Sequence, residues 1–217
     1  TAELFRDDAG KPVRVLGTIL DITARRQSEE AIRLNAARLQ SLLDLSYQAA
    51  FLSEENLIGL GLEKAVQLTA SRIGYCHFVN EDQNTLELFK WSQEALQGCA
   101  AVSDKHYPLD QAGVWADCAR LNKPIVHNDY QNLSDKKGFP AGHSPVIRHM
   151  SVPVIYQDQV RMIVGVGNKA TDYDESDVRM LSVVTEDVWK IVQRKRAEEA
   201  LQQTRAGLEV RVAERTA

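Results

Sequence analysis

The stretch IRHMSVPVIYQDQVRMIVGVG, residues 147–167, carries the clearest fold signal in this chain. Two runs rich in β-branched and apolar residues, 147–156 and 160–166, flank the polar tripeptide QDQ at 157–159. Such runs around a short polar turn are typical of a β-hairpin that packs into a sheet. We therefore predict a hairpin here, inside a domain that mixes strands and helices.

Toward the N-terminus, further short segments carry strand signals. We predict a second hairpin from strands at 75–79 and 85–91 around NEDQN, a strand near 100–107 and a buried strand at 124–127. A short helix is expected at 112–121. The segment QNLSDKKGFPAGHSP, residues 131–145, is predicted to be a loop that is long for an ordinary connection.

Two longer helices are predicted in this part of the chain. The first is predicted over 54–73, where Gly59 and Gly61 weaken the helical propensity of its start. The second should begin at Asp174, a good N-cap, and carries an apolar stripe from Val178 to Ile191. Unbroken to the end of the chain it would be roughly 64 Å long, at 1.5 Å per residue.

The N-terminal segment differs from this core. Strands at 1–6 and 13–22 around the turn DDAGKP predict a hairpin, which is too small to be stable alone. A helix should follow over 24–50. Apolar and small residues recur there with the alternating spacing of a coiled-coil seam, namely Ile32, Ala36, Leu39, Leu43, Ser46 and Ala50.

Composition excludes several classes of protein. Of the 217 residues, 44% are hydrophobic and 26% are charged, which is ordinary for a folded domain. The 26 Lys and Arg against 30 Asp and Glu give a net charge of −4, with no basic excess for nucleic acid or anionic lipid. No apolar run is long enough to span a membrane, and three scattered cysteines do not form a disulfide framework.

Several strings resemble known signalling families. The opening TAELFRDDAGKPVRVLGTILDITARRQSEEAI resembles the C-terminal edge of a PAS domain, in which the DIT triplet at 21–23 leads into a signalling helix. Residues 36–195 resemble a GAF domain of bacterial sensor kinases and cyclic-dinucleotide signalling proteins, through IGYCHFVNED, KWS, HYPLDQAGVWADC, KPIVHNDY, RHMSVPV and VGVGNK. The terminal RKRAEEALQQTRAGLE looks like a linker to a further domain.

The resemblance divides the chain into a PAS hairpin at 1–23, a signalling helix at 24–50, a GAF domain at 51–193 and a coiled-coil linker at 194–217. It implies an α+β fold with a mostly antiparallel six-stranded sheet. Helices would cover one side of this sheet and ligand loops the other, with long signalling helices at both ends.

In a GAF layout, polar residues from separate segments would line one pocket. The predicted ligand-binding residues are Trp115, His127, Asn128, Asp129, Tyr130, Arg148, His149 and Asn168. Arg148 would clamp a carboxylate or phosphate through paired hydrogen bonds, while His127 or His149 donates to it. The positive charge of the loop at 131–145 is compatible with a small anionic ligand, and a solvated crossover with no role is the alternative for this loop. In the alternative, Asn128 and Asp129 only cap the loop, and Arg148 pairs with Asp129.

Other chemistries have weaker signals. His127, Asp129, His143 and Cys118 lack the paired spacing of a metal site, so we expect no metal and no cofactor. Glycines 165 and 167 satisfy a dinucleotide-binding spacing by chance, because no helix follows them at once.

The cysteines raise two further alternatives. Cys76 next to His77 resembles the bilin-attachment pair of phytochrome-like GAF domains, but strand alternation would send the two side chains to opposite faces. Cys76, Cys99 and Cys118 suggest a methionine-sulfoxide reductase, the chemistry of one freestanding GAF family. That family lacks long helical extensions, so the reductase is the enzyme alternative.

We therefore expect a regulatory sensor-relay module, cut from a longer bacterial signal-transduction protein, with a sensor histidine kinase as the favoured parent. Two copies would pair in parallel along 32–43 and 201–208, and a ligand would shift these helices. A ligand-free dimerisation spacer is the alternative. The module is expected to be cytoplasmic and non-catalytic, with no nucleic-acid or membrane contact.

Overall fold

The computed structural model describes residues 2–17, 20–98, 106–133 and 145–216. The chain forms two compact units, Thr1–Ala37 and Arg38–Ala217.

The first unit contains a hairpin of β1 (Ala2–Arg6) and β2 (Pro12–Gly17), followed by the start of α1 (Thr23–Gln48). At its turn, the Asp7 carboxylate accepts hydrogen bonds from the backbone N–H groups of Ala9 and Lys11. The prediction that the second strand extends to residue 22 was wrong. Residues 18–19 lie outside the described residues, and the Asp21 carboxylate already accepts from the N–H of Thr23, where the helix begins.

The second unit is built on an antiparallel sheet in the order β5-β4-β3-β8-β7-β6. Its strands are β3 (Ile73–Val79), β4 (Thr85–Trp91), β5 (His106–Pro108), β6 (Ile125–His127), β7 (His149–Tyr156) and β8 (Gln159–Gly167). Its helices after α1 are α2 (Glu54–Leu68), α3 (Gln93–Gly98), α4 (Asp117–Arg120) and α5 (Glu175–Thr216). The α+β fold expected from the sequence is therefore present.

The hairpins predicted at 75–91 and 147–167 are confirmed. Gln157 and Asp158 both have positive φ, 53° and 57°, as a two-residue turn between twisted strands requires. The helix predicted at 112–121 is shorter, a 3₁₀ turn Val114–Ala116 followed by α4. Of the strand predicted near 100–107, residues 100–105 lie outside the described residues, and residues 106–107 lie in β5.

One sheet face packs against α2 and α5. This helix-side core takes Cys76 from β3, Met150 and Val152 from β7, and Val164 and Val166 from β8. The helices contribute the buried side chains of Leu57, Leu62, Leu181 and Val188. The strand residues between these positions therefore point to the opposite face.

Helix α2 ends earlier than predicted. Its last turn closes at Leu68, where the Thr69 hydroxyl donates to the carbonyl of Ala65, and Ala70 then takes a positive φ of 50°. Ile73 consequently starts β3 rather than ending the helix. Gly61 lowers the helical propensity of α2 but is needed for packing. A Cβ at position 61 would lie 2.6 Å from Cγ2 of Val188, so the glycine lets α2 approach α5 closely.

The C-terminal part of α1 belongs to the second unit. Its buried residues are Ser41 and Leu45, and Ala49 directly after the helix is also buried. Arg38 forms an ion pair with Asp187 of α5 at 3.4 Å. This face differs from the seam predicted for a coiled coil, since Leu39 and Leu43 are exposed.

Helix α5 is continuous over 42 residues. Its first half is buried against the sheet as far as Ile191 and Val192. From Ala197 onward every described side chain is exposed, including Leu201, Leu208 and Val212. Over the described part of the chain, no helix is both long and apolar enough to cross a membrane.

Candidate functional site

The sheet face opposite α2 and α5 carries a group of aromatic and histidine side chains. We call this group the distal cluster; its members are Tyr75 and His77 of β3, Trp115 of the 3₁₀ turn, His127 of β6, Tyr130 after it, and His149 of β7. Strand alternation places Tyr75 and His77 there, because Gly74 and Cys76 of the same strand face the helices.

Ring packing holds the cluster together. His77 stacks on Trp115 with 4.6 Å between ring centroids, and Tyr75 meets the edge of Trp115 at 5.5 Å. On the other side, His149 lies 5.8 Å from His127 with the planes 19° apart. Such contacts supply apolar surface together with polar nitrogens.

A glycine makes room for the central ring. Tyr75 pairs with Gly165 of β8, and a Cβ at position 165 would lie 2.1 Å from Cζ of Tyr75. The Tyr75 ring thus lies directly over the β8 backbone. Any side chain at position 165 would push the ring away, which explains a glycine in the middle of a buried strand.

Two hydrogen bonds join three elements at Tyr75. Its hydroxyl donates to the carbonyl oxygen of Trp115 at 3.1 Å, and its oxygen lies 2.9 Å from Nε2 of His149. The 3₁₀ turn, β3 and β7 are therefore tied together at one phenol group.

Burial keeps the cluster uncharged at neutral pH. Desolvation lowers the pKa of His77 to about 3, and desolvation together with the neighbouring His127 lowers the pKa of His149 to about 3. The pKa of His127 is also lowered by burial, although the Asp117 carboxylate opposes this shift. Burial raises the pKa of Tyr130 to about 12.

The cluster contains buried polar atoms that need a partner. Nδ1 of His127 and Nδ1 of His149 are both buried, with no hydrogen-bond partner within the ranges that the structure describes. His149 is only 3% exposed. Buried polar atoms in folded proteins are nearly always hydrogen-bonded, so these nitrogens point to a bound group or water.

Comparison with known proteins identifies the fold family. The family model described as GAF domain matches residues 52–193. The chain belongs to the GAF domain family. A methyl sulfide methyltransferase-associated sensor from Methanosarcina acetivorans is 39% identical over 197 residues, which cover 89% of this chain and 20% of that protein. The chain thus spans about a fifth of the length of that relative.

Solved structures share this GAF fold at low sequence identity. The GAF domain of a phosphoenolpyruvate-protein phosphotransferase from Coxiella burnetii superposes with a TM-score of 0.61 and 14% identity, covering 76% of this chain and 98% of that one. The free methionine-R-sulfoxide reductase of Neisseria meningitidis, solved with its substrate, gives 0.57 and 13% identity, covering 74% of this chain and 91% of that one.

Within this GAF domain, the structure brings together Trp115, His127, Tyr130 and His149 of the predicted ligand-binding residues. They reach the cluster from three separate segments, as the sequence analysis expected. Their use in ligand binding stays a prediction.

The other four predicted residues are engaged in structural contacts. The Asn128 side chain bonds both backbone groups of Tyr173, and Asp129 accepts from the Asn132 amide. Asn168, with a positive φ of 62°, accepts from the N–H of Ile147 and donates to the carbonyl of Pro145.

Arg148 forms a different pair from the one expected. Its Nε donates to Oδ1 of Asp172 at 2.8 Å, so the alternative in which Asp129 was its partner is wrong. The loop that follows Gly167 brings Asp172 back beside Arg148, and no spacing in the sequence indicates this.

Sequence reasoning missed Tyr75 and His77 as members of the site. Strand alternation had correctly separated Cys76 from His77, and the same rule carried one step further would have put Tyr75 beside His77. The sequence feature that could have indicated Tyr75 is Gly165 of β8, which pairs with it in the sheet.

The described cysteines of this GAF domain are buried thiols. Burial raises the pKa of Cys76 and of Cys118 to about 12, so neither is a thiolate at neutral pH. Cys99 lies outside the described residues, as does His143 of the considered metal set. Among the side chains that the structure describes, no three or more His, Cys, Asp or Glu gather as a metal site would require.

Proposed function

We propose that this GAF domain is a regulatory sensor-relay module of a multidomain signal-transduction protein such as a sensor histidine kinase. It binds a small molecule at the distal cluster and passes a conformational change to α5. The 39% identical relative named as a sensor supports the regulatory role. In this proposal, residues 1–23 are the end of a PAS domain and residues 194–217 lead into an output domain.

The observation that carries the proposal is that β7 serves both sides of the sheet. His149 belongs to the distal cluster, while its neighbours Met150 and Val152 are completely buried in the core against the helices. A close-packed strand does not deform smoothly, so a shift of His149 on ligand binding also moves the surface on which α5 lies.

Hydrogen bonds join helix α5 to the rest of the domain just before the exposed half of the helix begins. Lys195 donates to the carbonyl oxygen of Ala49 at 3.0 Å, and Arg196 forms two hydrogen bonds with the carboxylate of Glu54. Beyond this point nothing described covers the helix. A change in packing upstream would thus alter the direction or rotation of the exposed half.

The exposed half of α5 is suited to a second copy of the chain. Leu201 is 71% exposed and Leu208 is 50% exposed, seven residues further along the same helix edge. Isolated apolar residues at a heptad interval favour a parallel coiled coil. We propose a homodimer through this seam and through Ile32, Leu39 and Leu43 of α1.

A ligand-free dimerisation spacer is the second candidate. The close ring contacts of the distal cluster favour it, because the protein's own side chains already fill much of that face. Native mass spectrometry of the purified chain separates the two candidates. A small molecule retained by the wild type and lost in a Gly165→Leu variant supports the sensor, whereas no retained mass and no thermal shift with any metabolite support the spacer.

A further inference from the structure

The hydrogen bonds of Tyr75 determine which nitrogen of His149 carries its proton. A phenol has one hydrogen, and the carbonyl oxygen of Trp115 can only accept, so the Tyr75 hydroxyl hydrogen points to Trp115. The 2.9 Å contact with Nε2 of His149 must then run the other way. His149 donates from Nε2, and Tyr75 accepts.

The second nitrogen of His149 is consequently an acceptor. The ring is 3% exposed and uncharged at neutral pH, because burial lowers its pKa to about 3. A neutral imidazole holds one proton, so Nδ1 presents a lone pair. This lone pair is buried and meets no donor among the residues that the structure describes.

Two arginines next to the cluster along the chain already have other partners: Arg148 precedes His149, and Arg120 lies in α4, which follows the turn that carries Trp115. Arg148 is paired with Asp172, and Arg120 of α4 donates to the carbonyl oxygens of Leu109 and Gly113 and to Asp117. A carboxylate, or a phosphate ester that has lost all its protons, would bring only acceptors to the acceptor nitrogen Nδ1 of His149. Desolvating that anion without a compensating charge is unfavourable.

We propose that the ligand of the distal cluster is an uncharged molecule that donates an N–H or O–H hydrogen bond to Nδ1 of His149. The inference rests on the proposed function, since it specifies the chemistry of the same site. It replaces the anionic ligand expected from the sequence with a neutral donor such as an amide or a phenolic or indolic ring.

The tautomer is measured first, by long-range ¹H–¹⁵N correlation spectra of protein labelled with ¹⁵N-histidine. We expect His149 in the wild type to show a protonated Nε2 and an unprotonated Nδ1. In Tyr75→Phe, which removes only the hydroxyl, both tautomers become available. A protonated Nδ1 in the wild type overturns the proposal.

Binding is then tested with two matched pairs of probes, phenol against anisole and benzamide against benzoate. We expect phenol and benzamide to shift the His149 signals with affinities at least about tenfold higher than their partners, the factor that corresponds to about 1.4 kcal/mol. In Tyr75→Phe this discrimination should fall. Equal binding within either pair overturns the donor specificity.

Failure of the proposed function gives a result that differs from failure of the donor specificity alone. If none of the four probes shifts the His149 signals while the Nε2 tautomer is intact, the distal cluster does not bind small molecules, and the inference falls with it. If anisole and benzoate bind as well as phenol and benzamide, the site exists and only its specificity is contradicted.

Discussion

Arg196 of α5 contacts the start of α2, where its Nε and Nη2 donate hydrogen bonds to the two carboxylate oxygens of Glu54. The same guanidinium lies 5.4 Å from the ring centroid of Phe78 and 5.8 Å from that of Trp189. It is the last side chain of α5 with described contacts to the sheet and α2 before the helix becomes exposed. Arg196 therefore marks the point at which a change in the domain reaches the exposed helix.

Replacing Arg196 by Met should weaken the attachment of α5 to α2 and to the sheet. We expect the free energy of unfolding to fall by about 1 kcal/mol, because the variant loses a partly exposed ion pair and two cation–π contacts but retains a long side chain. Urea denaturation measures the change.

The matched control is Arg205→Met. Among the described residues, Arg205 pairs with Glu209 alone, on its own exposed helix surface, where both side chains are more than half exposed. Its loss should change the free energy of unfolding by less than about 0.5 kcal/mol. Equal effects of the two variants would contradict a special role of Arg196.

The Gly165→Ala variant should damage the distal cluster. The added methyl group would overlap the Tyr75 ring, so the ring must move and its hydrogen bond to His149 is weakened. We expect a loss of about 1–3 kcal/mol in stability, the usual effect of overpacking a buried site. Thermal denaturation tests this.

Gly207→Ala provides the opposite case. Position 207 lies inside α5, and a Cβ there meets no atom within 4 Å. We expect this variant to be more stable by up to about 1 kcal/mol, because alanine favours helix. An unchanged stability of Gly165→Ala would contradict the tight packing of Tyr75 over β8, and destabilisation of Gly207→Ala would contradict the open helical environment at position 207.

Acid should weaken the fold through His77 and His149. Their pKa values of about 3 in the folded protein lie below the ordinary 6.5, so the folded state favours the neutral rings. The stability they provide is complete above pH 6.5 and is lost as the pH falls from 6.5 toward 3. Each ring can contribute up to about 1.4 kcal/mol per pH unit in this window.

Urea titrations from about pH 7.5 down to about pH 5 measure this slope. In His149→Gln, which keeps a polar side chain but cannot titrate, the fall in the free energy of unfolding should be smaller by about 1 kcal/mol per pH unit. An unchanged slope would mean that His149 binds its proton as readily in the folded protein as in the unfolded chain.

The reductase alternative makes a clear prediction about thiols. In a Cys99→Ser variant, the remaining Cys76 and Cys118 are buried and protonated, so a thiol reagent should modify them only as fast as the protein unfolds. Rapid labelling of the native variant, or turnover of methionine sulfoxide, would support an enzyme.

The sequence was informative where local chemistry is decisive. The turn at Gln157 and Asp158 and the N-cap at Asp174 were predictable, because short polar turns and capping carboxylates act within a few residues. The end of α2 was not. Apolar spacing continues through Ile73, and only tertiary packing against β8 decides that this residue belongs to a strand.

The site was half predictable for a similar reason. His127 ends one predicted strand and His149 opens another, and the GAF resemblance already implied that both line one pocket; in the structure β6 and β7 pair with His127 opposite His149. Arg148 and Asn168 looked like ligand-binding residues by type, yet their partners Asp172, Ile147 and Pro145 are set by loop conformation. The type of a charged or amide side chain near a predicted pocket does not indicate which groups of the folded loops will form hydrogen bonds with it.

The central claim is that the distal cluster and the exit of α5 are mechanically linked through β7. Amide hydrogen exchange of Tyr75→Phe tests it directly, with Tyr156→Phe on the exposed end of β7 as control. We predict faster exchange in α5 between Asp187 and Arg196 in Tyr75→Phe alone, by about threefold to tenfold, the equivalent of one weakened hydrogen bond. Faster exchange confined to β3 and β7, with α5 unchanged, would contradict the account.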